Sequence, residues 1–277
     1  MEVWFTEEWL PGLRISAQIK SVVYTKRTKF QELCIFDTVE FGRMLVLDNV
    51  IQTTEKDEYI YHESLVHVPL LSHPNPEKVL IIGGGDGGAL RETLKHPQVK
   101  EATLVDIDGE VIEAAKTYLP SWSSSFSDKR ARVLVEDGLN YVATTRDRFD
   151  VVLVDSSDPV GPSEALFRPE FYSSIAKVLR PGGMMCAQTE SPIATPAVVR
   201  DIFHRISRVF PVTRLYTAPV PSYPGGWWSF TCGSLGSDPK VPVRKPEESW
   251  ELKFYSPEIH ERLFILNPKL KKDVGII

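Results

Sequence analysis

Two aspartates, Asp155 and Asp158, stand three residues apart in the stretch Asp155-Ser-Ser-Asp-Pro-Val-Gly-Pro162, directly after a continuous apolar run over 151–154. Such a run reads as a buried parallel strand. In an open α/β sheet the carboxyl ends of the strands form the ligand crevice. Two carboxylates on that edge make a cation site, and one of them can take a proton from what it binds. Taken without its neighbours, the same pair also fits turn formers ahead of two prolines.

A second cluster lies upstream. Val79-Leu-Ile-Ile-Gly-Gly-Gly-Asp-Gly-Gly88 is a strand running into a glycine loop and then a helix. Gly83, Gly84, Gly85 and Gly87 let the backbone turn sharply and approach a ligand closely. Gly83, Gly85 and Gly88 satisfy G-x-G-x-x-G, a spacing that fits NAD and S-adenosyl ligands alike. Asp106 closes the next strand about 20 residues on, where an acid binds two ribose hydroxyls. Asp108 reads as the cap of the helix that follows. A third strand ends in Val135-Glu-Asp-Gly138. Asp137 there either turns the chain or accepts a hydrogen bond from an adenine amino group.

The elements that must position these groups follow two patterns. Up to about Thr54, alternating β-formers separated by polar turns predict hairpins in a small antiparallel sheet. A sheet that small has little core of its own and is expected to lean on a neighbour. From Asp57 a helix carrying Tyr61, Leu65 and Val68 is expected to stop near Ser72-His-Pro-Asn-Pro. Strands at 79–82, 102–106, 132–135, 151–154 and 183–188 then alternate with helices at 87–95, 109–118, 139–144, 169–179 and 195–209. That alternation predicts a mostly parallel, Rossmann-like α/β sheet with helices on both faces. Gly226-Trp-Trp-Ser-Phe-Thr-Cys-Gly reads as a late antiparallel strand, and a last helix opens at Ser256 and Pro257. The expected organisation is a β-sheet domain over 1–54 and a Rossmann-like catalytic domain over 55–277.

Composition narrows the classes. The chain has 277 residues, 42% hydrophobic and 25% charged, enough for one large α/β domain plus a small one. The net charge of -5 argues against a nucleic-acid partner. Three scattered cysteines form no Cys-x-x-Cys or Cys/His cluster, so neither a zinc site nor a disulfide framework is expected. No apolar stretch approaches transmembrane length, and the first residues carry no leader pattern. A cytoplasmic protein with no membrane partner is expected.

Leu179-Arg-Pro-Gly-Gly183 and three successive acidic strand ends resemble class I methyltransferase-type domains, which favours an S-adenosyl ligand over NAD. Six segments then extend the resemblance: Phe30-Gln-Glu-Leu, Leu47-Asp-Asn-Val-Ile-Gln-Thr-Thr-Glu, Asp57-Glu-Tyr-Ile-Tyr-His-Glu63, the glycine loop, Asp155-Ser-Ser-Asp-Pro-Val-Gly-Pro162 and Pro221-Ser-Tyr-Pro-Gly-Gly226. In this order, along essentially the whole chain, they resemble the spermidine synthases, the polyamine aminopropyltransferases. The resemblance implies transfer of the aminopropyl group of decarboxylated S-adenosylmethionine to putrescine, giving spermidine and methylthioadenosine. It also implies a homodimer or homotetramer. Gln31, Asp106, Asp137 and Gly138 would bind the donor nucleoside, with Pro162 beside the adenine. Asp86 would hold the aminopropyl ammonium, Tyr61, His62, Asp158 and Tyr223 would line the amine site, and Asp155 would be the general base. Many members carry Glu where this chain has Asp106, and position 62 varies between His and Gln, which suits a hydrogen-bonding group rather than an acid or base.

The chemistry fits these residue types. A sulfonium donor is already electrophilic at carbon, so no cofactor or metal is expected. A primary amine has a pKa of about 10.4 and is protonated at neutral pH. An ammonium cannot attack, so a carboxylate must bind it and accept a proton. Asp86 inside the glycine loop would repel the carboxylate of intact S-adenosylmethionine and attract a decarboxylated donor. The competing reading is an S-adenosylmethionine-dependent amine N-methyltransferase. Trp227 and Trp228 read as strand packing, His67, His73, His96, His204 and His260 as structural or surface groups, and Lys269-Leu-Lys-Lys272 as a solvated tail.

Overall fold

The structure, a computed structural model, describes residues 2–157 and 165–276. Its first sheet is a five-stranded antiparallel meander: β1 (Val3–Leu10), β2 (Leu13–Arg27), β3 (Glu32–Thr38), β4 (Arg43–Leu47) and β5 (Val50–Thr54). The β4–β5 turn is two residues, Asp48 and Asn49, both at positive φ (46° and 66°). Asp and Asn are the side chains that tolerate this geometry best after glycine. β1 lies outside the hairpins expected from the sequence. Its residues alternate in burial without a strong apolar run, so only pairing with β2 defines it.

The second sheet has the order β8-β7-β6-β9-β10-β12-β11. Its strands are β6 (Lys78–Gly83), β7 (Glu101–Asp106), β8 (Ala131–Val135), β9 (Phe149–Asp155), β10 (Leu179–Gln188), β11 (Val212–Ala218) and β12 (Trp228–Ser234). β12 runs antiparallel between β10 and β11, as expected for a late strand, while β6 to β10 pair in parallel. β11 went unread because Thr213, Arg214 and Thr217 break its apolar pattern. The helices are α1 (Glu58–Ser72), α2 (Gly88–Leu94), α3 (Gly109–Tyr118), the short α4 (Pro120–Ser123), α5 (Gly138–Thr144), α6 (Pro169–Val178), α7 (Pro196–Ser207), α8 (Pro257–Leu263) and α9 (Pro268–Val274).

The period-2 geometry of a strand divides the core. Val79, Ile81, Val151 and Leu153 pack against α1 and α2 on one face. Leu80, Ile82, Val152 and Val154 pack under α5, α6 and α7 on the other. α1 is buried along almost its whole length, because the chain around Trp250 and Tyr255 covers its outer side. The first sheet does lean on its neighbour: Leu33, Ile35 and Leu45 pack against Val111, Ala114, Ala115, Leu119 and Trp122. Each of the larger aliphatic side chains in this contact, Leu33, Ile35, Leu45, Val111 and Leu119, contributes about 1.5–3 kcal/mol.

At the C-terminus the helix at Ser256 forms, with the Ser256 hydroxyl accepting from the Ile259 amide at 3.3 Å. It is followed by α9, so the reading of Lys269 to Lys272 as a tail is corrected. Asn267 caps α9, Pro268 takes its first position, and Leu270 and Val274, four residues apart, are buried beside Val199. Among the described residues no helix is long and apolar enough to cross a membrane.

Candidate active site

The chain runs from β6 through β7 to β8 on one side and then returns to β9 on the other side of β6, so a crevice opens at the carboxyl ends of β6 and β9. β4 and β5 of the first sheet close it from above. The result is a cavity of about 350 Å³. Gln31, Tyr61, His62, Asp86, Asp106, Asp137, Gly138, Asp155 and Tyr223 all line it, as do Gly83, Gly84 and Gly85. Gly87 does not. It sits at φ 91° as the cap of α2, and a Cβ there would meet the Phe126 ring at 2.9 Å. Asp158 and Pro162 lie outside the described residues.

The acidic centre is built from three elements. Asp155 ends β9, and the Tyr61 hydroxyl of α1 donates to its Oδ1 at 2.6 Å. Asp86 sits in the glycine loop, where its Oδ1 accepts from the Gly88 amide at 2.8 Å. His62, one residue beyond Tyr61, places Nε2 3.5 Å from Asp86 Oδ2 and Nδ1 2.7 Å from Glu58 Oε2. One donor atom each of His62, Asp86 and Asp155 lie within 4.8 Å of one another. Burial alone would lower the His62 pKa, but Asp86 and Glu58 outweigh it and hold the imidazole well above its ordinary value. With both ring nitrogens of His62 turned to carboxylates, Asp86 and Asp155 are the groups of the trio left to accept from a bound organic cation. Burial, with the nearby Asp86 charge, pushes Asp155 up to about 6, against the opposing pull of His62 and Tyr61. Burial and the Asp155 charge raise Tyr61 well above its ordinary value, so it stays a hydrogen-bond donor.

A second group of polar side chains gathers across the glycine loop. Asp106 Oδ2 accepts from the Gly85 amide at 3.0 Å and its Oδ1 from the Asp108 amide at 2.8 Å. Burial raises its pKa to about 6 against these two bonds. Asp108 caps α3 through the Glu110 amide, as expected, and also accepts from Thr28 Oγ1 at 2.7 Å and Gln31 Nε2 at 2.9 Å. These bonds tie the first sheet to the second at the cavity rim. Asp137 caps α5 through the Leu139 amide, so its turn-forming role is real, and it faces the cavity as well.

At the far end the Tyr223 hydroxyl donates to the Gln52 backbone carbonyl, and Trp228 packs edge-on against the Tyr223 ring at 4.7 Å. Trp228 therefore lines the cavity, whereas Trp227 packs beside α9. Gln188 donates to the Ser156 carbonyl at 3.0 Å from the end of β10. Sequence reasoning missed Gln52, Gln188 and Glu58. Gln188 stands at the carboxyl end of a predicted strand and had a readable signal. Gln52 contributes a backbone carbonyl, which no sequence pattern marks.

Comparison with known proteins places this architecture. The spermine/spermidine synthase domain family matches residues 58–243, and the spermidine synthase tetramerisation domain matches residues 3–55. The chain belongs to the spermine/spermidine synthase family. It is 48% identical to the polyamine aminopropyltransferase of Caldicellulosiruptor saccharolyticus over 98% of both chains, and 48% identical to polyamine aminopropyltransferase 1 of Bacillus cereus over 99% of both. A crystal structure of spermidine synthase in complex with the transition state analogue AdoDATO superposes with a TM-score of 0.95 at 41% identity, covering 99% of this chain and 96% of that one. Spermidine synthase from Thermotoga maritima superposes at 0.94, also with 41% identity, covering 99% and 95%. As a member of the spermidine synthases this protein is a transferase, an aminopropyltransferase.

Proposed function

We propose that this aminopropyltransferase moves the aminopropyl group of decarboxylated S-adenosylmethionine to putrescine, with Asp155 as the general base. The observation that carries this is the Tyr61–Asp155–Asp86–His62 cluster at the middle of the cavity, between the Asp106 end and the Tyr223 end. The nucleoside of the donor occupies the Asp106 end, held by Gln31, Asp106, Asp137 and Gly138. Its sulfonium and aminopropyl arm cross the glycine loop, and the arm's ammonium meets Asp86. The acceptor amine lies between Tyr61 and Tyr223, its reacting nitrogen at Asp155.

The reaction follows from charge. The diamine enters as a dication and is attracted by the carboxylates. Asp155 takes one proton, leaving a free amine whose lone pair attacks the donor carbon next to sulfur. The C–N bond forms as the C–S bond breaks, and the electron pair leaves with sulfur as neutral methylthioadenosine. A base at about 6 is roughly a hundredfold stronger than an ordinary aspartate and is still mostly ionised at neutral pH. Holding nitrogen, carbon and sulfur in line supplies much of the acceleration.

The assay is purified protein with decarboxylated donor and a panel of amines, products identified by mass. Spermidine and methylthioadenosine from putrescine are expected. S-adenosylhomocysteine from intact S-adenosylmethionine would replace this reading with an N-methyltransferase, and a faster reaction on another diamine would replace putrescine. A homodimer or homotetramer through the first sheet is proposed with it. The match to the tetramerisation domain and the exposed Val3, Trp4, Leu13 and Val22 of β1 and β2 support it, and light scattering tests it.

A further inference from the structure

Glu58 and His62 are four residues apart on α1 and share one face of the helix. Both are buried, at 5% and 1% exposure. The Arg91 guanidinium of α2 grips Glu58 with two nitrogens, Nη1 to Oε1 at 3.2 Å and Nη2 to Oε2 at 2.8 Å. Arg91 is itself fixed by the Ser121 carbonyl and by Glu92. The ring of His62 packs directly on Gly88, where a Cβ would lie 2.1 Å from its Cε1, so only a glycine leaves the ring this place. The two ring nitrogens face two carboxylates, Glu58 and Asp86. Only a ring carrying both N–H protons can donate to both.

We infer that Glu58, clamped by Arg91, is a positioning residue that keeps His62 doubly protonated with Nε2–H aimed at Asp86, and so fixes the carboxylate that meets the donor's ammonium. The inference rests on the aminopropyl-transfer reading for what Asp86 binds. Among the described residues, the groups facing His62 are Glu58 from α1, Asp86 from the glycine loop, Asp155 from β9 and the edge-on ring of Tyr61, with Arg91 one step behind Glu58. Three carboxylates of that set surround the ring, and Arg91 is paired with Glu58. Without the Glu58 charge only Asp86 is left to hold the His62 pKa up against burial, and the ring gives up a proton more readily. If Nδ1–H is retained toward residue 58, a bare Nε2 lone pair is turned on Asp86, and the two repel.

Two measurements test this on the intact protein. Nitrogen-15 NMR of the wild-type histidines needs no turnover, so it stands even if the reaction assignment fails. His62 is expected to titrate well above the ordinary imidazole value of about 6.5, and titration at or below that value would overturn the inference. In Glu58→Gln, His62 is expected to titrate at lower pH than in wild type, and the KM for decarboxylated donor is expected to rise about tenfold between pH 7 and pH 9, above the range in which Asp155 and Asp106 titrate, with kcat little changed. Wild-type KM stays flat over that range. The double variant Glu58→Gln/His62→Gln, with a neutral amide that does not titrate, should return a flat profile. A purely structural Glu58 would lower Tm and leave the pH dependence of KM as in wild type, which would also sink the idea. Should Glu58→Gln not fold, the wild-type titration alone decides.

Discussion

Gly83 and Asp155 are register partners on the neighbouring strands β6 and β9, and a Cβ on Gly83 would sit 2.1 Å from the Asp155 carbonyl oxygen. Gly83 also holds φ at 81°, a left-handed conformation. The glycine that turns the loop thus also allows the strand carrying Asp155 to close in. Gly83→Ala is expected to destabilise the protein by about 2–4 kcal/mol, from left-handed strain and overpacking together. Chemical denaturation reads this, and a loss under about 1 kcal/mol would mean that β6 and β9 separate easily.

Asp155→Asn keeps an oxygen for the Tyr61 hydroxyl but cannot take a proton. Turnover should fall by about 10²-fold or more while donor KM changes little. Near-normal turnover would remove Asp155 from the base role. The same variant should be more stable without substrate. Folded Asp155 protonates at about 6 against an ordinary 3.8, so the native state binds more protons than the unfolded state in that window. Its contribution to stability therefore falls as pH rises through 4 to 6. Removing the charge should raise the Tm of the free protein at pH 8 by about 2–4 °C, and an unchanged or lower Tm would count against a buried, destabilising carboxylate.

If Asp155 is the base, the pH profile of kcat/KM should carry an acid limb near 6, because a carboxylate accepts a proton only when ionised. Tyr61 donates to the ionised form and so pulls this value down. Tyr61→Phe should move the limb toward neutral pH. A limb that stays in place, or moves to lower pH, would separate Tyr61 from the base.

Asp86→Asn should weaken the preference for decarboxylated over intact S-adenosylmethionine. At 4 Å and an effective dielectric of 20, a unit charge pair is worth about 4 kcal/mol. Even a quarter of that is a several-fold preference. Competitive binding of the two donors reads the ratio, and equal discrimination in both proteins would remove the charge argument.

Much of the fold was legible because its signals are local. Apolar runs such as 151–154 and caps such as Asp108 and Asp137 act within a few residues. β11 escaped because Thr213, Arg214 and Thr217 interrupt its apolar pattern, and α9 because three lysines hid the pair Leu270 and Val274. In the site, Tyr61, His62, Asp86, Asp106 and Asp155 were readable from motifs. Glu58 was not, since its importance comes from Arg91, 33 residues away in sequence and bound only once α1 and α2 pack together.

The far wall of the cavity holds a consequence for how such a pocket can change. The partner of the Tyr223 hydroxyl is the Gln52 carbonyl, part of the polypeptide backbone of β5. No codon change at position 52, short of proline's distortion, deletes that oxygen. Changes in the shape of this wall are thereby channelled into the side chains of Tyr223, Trp228 and Gln188. One side of the pocket is heritable only as strand position, and the other is free to be rewritten residue by residue.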